Sequence, residues 1–523
     1  MKKHFNTTGV CKPEKHFMVN ISNKIAQILD MVENGDYFVI NRPRQYGKTT
    51  TIDTLNRRLK LSEDYFPIKI SFEGISEGSF KEESLFIKSF LRRLKRVLDN
   101  SGNINLIKFM ESVEPLNLID DLDEWISNLI MQIGKKTVLI IDEVDKSSNN
   151  QLFLDFLAML RNKYLLSDDD GQSTFHSVIL VGVHDVKSLK LKIRPEAEAK
   201  YNSPWNIAVN FKVDLSFSPT EIATMLEQYA SEQEMSINIH FFSERLFYYT
   251  SGYPFLVSLL CKTIDEDIIA GKNQKEWKPE DLEKAVQLIL KEDNTNFESL
   301  ITKLKNNAEL YDFIFNLIMN GTEFSFNIHN EVIHFGTMYG ILREEKGRVL
   351  VHNRIYEQII YNFMASKSEI SGKKKFDHIT STYLEGDQLN IQKIFLKFQE
   401  FMNENYSKRD ADFIERNGRL LFLAFIRPII NGRGFDFKEI QISEEKRLDV
   451  VITFNNNKYI VELKIWRGES YHREGIRQLC NYLECQNQNS GYLLIYDLRR
   501  ESGQAGKMET IDNQGKTILA AWV

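Results

Sequence analysis

Short apolar runs bounded by polar, turn-forming residues recur along the chain. Tyr37-Phe38-Val39-Ile40 is apolar without alternation, which predicts a strand buried on both faces. A polar loop follows, and apolar residues return at Leu55 and Leu59, four apart, predicting a helix. Thr137-Val138-Leu139-Ile140-Ile141 and Ser177-Val178-Ile179-Leu180-Val181 read as two more buried strands of parallel type. Ser218, Pro219 and Glu221 form a helix start, with Ser218 as N-cap, Pro219 in the first turn and Glu221 three residues after the cap. A second apolar helix opens in Ser251-Gly252-Tyr253-Pro254-Phe255-Leu256-Val257.

The middle of the chain predicts a helical region from Leu310, a short helix near Met338, a hairpin over 347–353 and a helix over 355–363. Residues 366–388 are polar and contain Ser-Gly-Lys-Lys-Lys at 371–375, the composition of a linker. Ile391 to Met402 has amphipathic helical spacing, and a further helix is expected from Phe413 to Phe425. Then Leu448-Asp449-Val450-Val451-Ile452-Thr453-Phe454, an Asn-rich turn at 455–457 and Lys458-Tyr459-Ile460-Val461-Glu462-Leu463-Lys464 predict a β-hairpin. Residues 491–496 and 516–520 read as the remaining strands of this region.

Composition adjusts this picture only in places. The 523 residues suit about three domains of ~150 residues. A net charge of -6 excludes a globally basic nucleic-acid binder but leaves room for a local basic groove. The four cysteines, Cys11, Cys261, Cys480 and Cys485, form no Cys-x-x-Cys pair and suit free thiols in a reducing compartment. Met1 to Ile21 has no apolar core of signal-peptide length and no apolar run is long enough to span a bilayer, so a cytoplasmic protein with no membrane partner is expected.

The first candidate chemistry lies after the first strand, in Arg42-Pro43-Arg44-Gln45-Tyr46-Gly47-Lys48-Thr49-Thr50. At a strand–loop–helix junction, backbone N–H groups can cradle a phosphate. Lys48 would then reach the β- and γ-phosphates, and the Thr49 hydroxyl would bind magnesium. The strand ending in Asp142-Glu143 supplies the acids that such a site needs. This loop resembles the Arg-Pro-Arg-x-Phe-Gly-Lys form of bacterial AAA-like ATPases, with Arg42 where the general motif has its first glycine. The acidic strand end resembles Walker B. The resemblance covers roughly the first 300 residues. It implies an ATP site built from Arg44, Gln45, Tyr46, Gly47, Lys48, Thr49, Thr50 and Asp142, with magnesium held by Thr49 and Asp142 and water polarised by Glu143. His184 is then the candidate γ-phosphate sensor, and Arg161 and Arg194 are rival arginine fingers. Asp145 receives no role. Ser218 to Glu221 and Gly252-Tyr253-Pro254 resemble the helical lid of AAA-like and STAND-type ATPases. Phe5 to Gly9 and His16 to Val19 resemble the lead-in that lines the nucleotide base.

The second candidate chemistry is in the late hairpin. Glu462 and Lys464 are two apart and leave one strand face together, and antiparallel pairing can bring Asp449 beside them. Charges on a strand that is apolar on both faces are costly unless paired or metal-bound. Asp, a strand hairpin and Glu-x-Lys resemble the PD-(D/E)XK nuclease superfamily. This implies a magnesium site, with manganese as the alternative ion, held by Asp449, Glu462 and Glu415, and Lys464 acting on the attacking water. Glu439 and Glu444 are rivals for Glu415. Gln478 and Tyr482, four apart on one helix face, match the Gln-x-x-x-Tyr of RecB-like members and add Gln478 to the catalytic set. Arg467, Arg473, Arg477, Arg499 and Arg500 are candidate phosphate contacts.

Together these resemblances imply an α/β protein. An AAA-like P-loop core spans 1–215, a helical lid 216–300 and a winged-helix-like module 301–365. A linker spans 366–388, and a restriction-endonuclease-like domain spans 389–523. The expected function is ATP-driven control of nucleic-acid cleavage, with DNA as substrate, a homo-oligomeric state and a role in defence against foreign DNA. Two alternatives stay open at this level: a STAND-type oligomerising switch with a nuclease effector, and an ATP-driven module whose nuclease fold binds without cutting.

Overall fold

The computed structural model describes residues 3–147, 150–169, 173–183, 205–270, 275–318, 324–370, 383–385, 388–405, 414, 418–419, 421–423, 425–426, 434–438, 450–454, 457–485, 488–499, 506–513 and 515–523. The chain divides into two compact units, Met1–Ile289 with His334–Ile341, and Leu290–Ile333 with Leu342–Val523.

The first unit begins with α1 (Ser22–Glu33), β1 (Tyr37–Asn41), α2 (Lys48–Lys60) and β2 (Tyr65–Ser71). The helices α3 (Glu83–Asp99), α4 (Ile104–Glu111) and α5 (Ile119–Ile133) follow, then β3 (Lys136–Asp142), α6 (Gln151–Asp169) and β4 (Ser177–Gly182). The four strands are parallel and lie in the order β1-β4-β3-β2. Every residue of β4, and of β3 after Lys136, is buried, as a parallel strand covered on both faces requires. The apolar stripe Phe86, Ile87, Phe90, Leu94, Leu98 of α3 enters the same core. Because β4 lies between β1 and β3, the loop after β1 and the acids after β3 flank one strand end. A single parallel bridge, Phe38 to Val209, lies on the other side of β1.

Among the described residues this unit continues with the helices α7 (Pro219–Gln233), α8 (Ile239–Thr250), α9 (Pro254–Thr263) and α10 (Pro279–Ile289). The Ser218–Glu221 capping box starts α7 as its sequence predicts. The N-terminal segment packs on these helices through aromatic rings. Phe5 and Phe17 lie 4.9 and 5.2 Å from Tyr229, which lies 5.3 Å from Trp277.

The second unit opens with α11 (Thr295–Asn306) and α12 (Ala308–Ile318). Residues 290–300 cluster with this unit. The helix α13 (Glu331–Met338) precedes the hairpin β5 (Leu342–Glu345) and β6 (Arg348–Val351), and α14 (Arg354–Ile370) follows. Ser325 bridges Arg348 and extends the hairpin by a third short segment. Next come β7 (Leu384–Glu385) and β8 (Gln388–Leu389), a small ladder at the end of the polar stretch, and then α15 (Ile391–Asn405).

The last elements are β9 (Gly434–Lys438), β10 (Val450–Phe454), β11 (Asn457–Ile465), α16 (Glu469–Cys485), β12 (Ser490–Tyr496), β13 (Met508–Asn513) and β14 (Lys516–Trp522). They form a six-stranded mixed sheet in the order β13-β14-β12-β11-β10-β9. Ile476, Leu479 and Leu483 of α16 pack on Val451, Ile460, Leu493, Ile495 and Trp522 of the sheet. The β10–β11 hairpin forms where the Asn-rich turn predicts it, in the register Val450 to Val461. The strands β2, β9 and β13 are additions to the sequence reading.

Candidate functional site

The loop between β1 and α2 turns on two left-handed residues, Gln45 (φ 56) and Gly47 (φ 77). Gly47 is the N-cap of α2, so the first helical N–H groups open toward the loop. Lys48 is buried, and its Nζ donates to Arg42 O at 2.9 Å and Pro43 O at 2.8 Å. Burial pushes its pKa down, and Asp145, Glu143 and Asp142 push the other way. Arg42 adopts no left-handed conformation, so its position needs no glycine. Its guanidinium turns to the 211–213 segment, donating to Val213 O at 2.7 Å and lying 5.1 Å from the Phe211 ring. That accounts for the departure from the general motif.

The Thr49 hydroxyl hydrogen-bonds the buried Asp142 carboxylate, which also accepts the Glu143 N–H at 2.9 Å. Burial raises the Asp142 pKa, against the lowering effect of Lys69. Lys69 is itself ion-paired with Asp53. Glu143 has φ 57 and a pKa raised by burial and then by Asp142. A hydroxyl and a carboxylate meeting beside a buried lysine are hard oxygen donors that fit magnesium. Asp145, left without a role above, has a structural one. Its carboxylate accepts Val183 N at 2.9 and 2.7 Å and ties the turn after β3 to the end of β4.

A cavity of about 320 Å³ lies beside this loop. Gln45, Gly47 and Thr50 line it from the loop, Asn6, Phe17 and Val19 from the N-terminal lead-in, and Leu215, Phe217, Met225 and Phe255 from the lid side. Thr50 Oγ accepts Cys11 N at 3.2 Å, which holds the lead-in against α2. Lys24 joins α1 to the lid through Glu221 at 2.8 Å and Ser216 O.

The Gly-x-Pro segment closes the site. A Cβ on Gly252 (φ 72) would run into the Phe217 carbonyl oxygen, and Phe217 N donates to Gly252 O at 2.8 Å. Tyr253 donates its hydroxyl to Arg44 O at 2.6 Å, and its ring meets Tyr46 edge-on at 4.8 Å. Pro254 starts α9 and lies 3.7 Å from where a Gly47 Cβ would sit. Ordinary helix punctuation would require none of these contacts.

In the late sheet, Glu462 is 3% exposed and pairs with Lys464, whose Nζ lies 2.5 Å from Glu462 Oε1. Gly475 of α16 places its Cβ position 3.5 Å from Lys464 Cε, leaving room for that side chain. Gln478 donates to Glu474 at 3.2 Å, while its Oε1 and the Tyr482 hydroxyl are buried with no hydrogen-bond partner. Asp449, Glu415, Glu439, Glu444, His184, Arg194 and Arg500 lie outside the described residues. Among the described residues, no group of three or more His, Cys, Asp or Glu could hold a metal ion. Arg473 and Arg477 are exposed on α16. The Arg499 guanidinium forms two hydrogen bonds to Asp497 at 2.8 and 2.6 Å and lies 4.9 Å from the Trp466 ring. Arg161 sits on α6 with its Nε buried. No described helix is long and apolar enough to cross a membrane.

Comparison with known structures finds distant likenesses. A Walker-type ATPase of Pyrococcus abyssi is 12% identical with a TM-score of 0.46, over 68% of this chain and 99% of that one. The ORC2 protein of Aeropyrum pernix, solved as ADPNP–ADP complexes, is 14% identical with a TM-score of 0.39, over 70% of this chain and 98% of that one. The RuvB Holliday junction branch migration motor of Thermotoga maritima is 14% identical with a TM-score of 0.35, over 64% of this chain and 92% of that one. No curated protein matches the sequence. Residues 8–362 match the AAA-like domain family. With well over half its length inside that match, this chain belongs to the AAA-like domain family.

Proposed function

We propose that the first unit binds and hydrolyses ATP. The observation that carries this is the convergence of Lys48, Thr49 and Asp142 at the mouth of the phosphate loop, beside a cavity of about 320 Å³. Lys48 now rests on loop carbonyls, which are weaker partners than phosphate oxygens. On binding, Lys48 would move to the β- and γ-phosphates, and the N–H groups at the start of α2 would hold the same anion. Thr49 and Asp142 would hold magnesium, which when bound neutralises charge developing on the phosphate oxygens. Glu143 would orient the attacking water; its raised pKa suits a group that must accept hydrogen bonds from water near neutral pH. The cavity would take the base, with Phe17 and Phe217 as apolar walls. Radiolabelled ATP turnover by the full chain, with and without magnesium, tests this; no binding and no turnover would refute it.

A second reading concerns the late sheet, which we propose to be a metal-dependent nuclease-like domain of the PD-(D/E)XK kind. A buried Glu–Lys pair adds little net stability, because desolvation offsets the attraction. Glu462 and Lys464 therefore call for a functional explanation. The unpartnered Gln478 Oε1 and Tyr482 hydroxyl on the neighbouring helix support a polar ligand there. On this reading Asp449, Glu462 and Glu415 would be the metal ligands, as the Asp…Glu-x-Lys sequence pattern implies. The order of α11 to α14 around the β5–β6 hairpin suits a winged-helix module. On this reading ATP turnover controls cleavage of nucleic acid, with DNA the first substrate to try, in a cytoplasmic homo-oligomer acting against foreign DNA. Incubating several nucleic acids with the protein, while varying magnesium, manganese and ATP independently, tests it. Substrates left intact under every condition would reduce the domain to a binding module.

A further inference from the structure

The segment His334–Ile341 packs with the first unit, although the chain on both sides of it clusters with the second. It closes α13 with paired bonds, Ile341 N to Gly336 O at 2.8 Å and Gly340 N to Thr337 O at 2.9 Å, around a left-handed Gly340 (φ 69). The turn sits against the phosphate loop. A Cβ at Gly340 would lie 2.6 Å from Pro43 Cγ, 2.9 Å from Pro43 Cβ and 3.6 Å from Tyr253 Cε2. Its two neighbours are the residues that hold the loop. The Pro43 carbonyl accepts Lys48 Nζ, and the Tyr253 hydroxyl donates to Arg44 O.

Tyr339, the adjoining residue, is half-buried, and its phenol lies in the fields of Asp145 and Arg44. Asp145 in turn fixes the end of β4 through Val183 N. One turn of the chain therefore touches the loop after β1 and lies within electrostatic reach of Asp145 in the acidic turn after β3. A seat with no room for a methyl group responds to small shifts of the surface beneath it.

We propose that the Tyr339–Gly340 turn is a nucleotide-sensing latch. It is seated on Pro43 while Lys48 holds the Arg42 and Pro43 carbonyls, and it is unseated when phosphate draws Lys48 away. The proposal rests on the ATP reading of the phosphate loop. It adds that a segment far along the chain reports the loop's occupancy. Because the sequence on either side of the latch runs into the second unit, the turn is a place where nucleotide state can pass along the chain.

Amide hydrogen exchange on the full chain, with and without ATP and magnesium, separates the two ideas. With ATP, the amides of residues 45–51 should slow, while those of Gly340 and Ile341 should speed up by about tenfold as their local closure is lost. Gly340→Ala should exchange rapidly at 340–341 with or without ATP and still show slowing at 45–51. Slowing at 45–51 with unchanged or slower exchange at 340–341 overturns the latch and leaves ATP binding standing. No change at either place overturns both. Slow exchange at 340–341 in Gly340→Ala shows that the Pro43 seat does not hold the turn, which also overturns the proposal. If that variant does not fold, the wild-type comparison decides alone.

Discussion

Replacing Gly252 by alanine tests how the lid is joined to the nucleotide site. Gly252 has φ 72, a left-handed conformation that costs an L-residue about 1–2 kcal/mol. The added Cβ would also meet the carbonyl oxygen of Phe217, and its nitrogen at 2.8 Å, so backbone must move. Overpacking of this kind costs about 1–3 kcal/mol. Displacing Phe217 puts its 2.8 Å hydrogen bond to Gly252 O at risk, worth about 1 kcal/mol net. Gly252→Ala should therefore destabilise the first unit by about 3–6 kcal/mol, a large share of the ~5–15 kcal/mol typical of a folded domain. Gly74→Ala is the control. Gly74 has φ 87 with nothing within 4 Å of its Cβ position, so only the conformational cost of about 1–2 kcal/mol applies. Urea unfolding followed by tryptophan fluorescence reads the difference, since Trp125, Trp205 and Trp277 all lie in the first unit. Equal losses for the two variants would refute the steric argument. They would also detach Gly252 from the account of how Tyr253 and Pro254 reach the phosphate loop.

Three further outcomes follow from the site. Glu143→Gln should keep ATP binding while lowering turnover at least a hundredfold, measured by filter binding and phosphate release; turnover near wild type removes Glu143 from orienting water. Asp142 has a pKa raised by burial, so the native state binds more protons than the unfolded chain between the unfolded and folded values, and stability falls as pH rises through that window. Accordingly, Asp142→Asn should raise the melting temperature at pH 7 in the absence of magnesium and abolish the further rise that magnesium with nucleotide gives the wild type; a lower melting temperature contradicts the burial argument. Lys464→Ala should remove any nucleic-acid cleavage and leave ATP turnover within about twofold, because Lys464 and Lys48 belong to different units; joint loss of both activities would point to misfolding or a single coupled site.

Local sequence was enough to place the elements that carry the candidate chemistry. An apolar run feeding Gly47-Lys48-Thr49, a second run ending in Asp142-Glu143 and the two-residue spacing of Glu462 and Lys464 each encode geometry through backbone period alone. Their strands and helices lie where that period puts them. The weaker strands escaped notice because their environment, not their composition, makes them strands. Tyr65–Ser71 carries Pro67 and Lys69 at a sheet edge, and Met508–Asn513 pairs only with Lys516–Trp522.

Contacts between distant parts of the chain were beyond that reading. Strand order put β4 between the phosphate loop and the acids, and Asp145 gained its structural role from Val183. Residues between 6 and 24 and residues between 215 and 258 line one cavity, a meeting that no local pattern specifies. Arg42 in place of a glycine, the closure at Gly252 and the seat of Gly340 on Pro43 are matters of space around a backbone. Periodicity specifies which way a side chain leaves its own element; what it meets there depends on segments hundreds of residues away, and packing alone selects them.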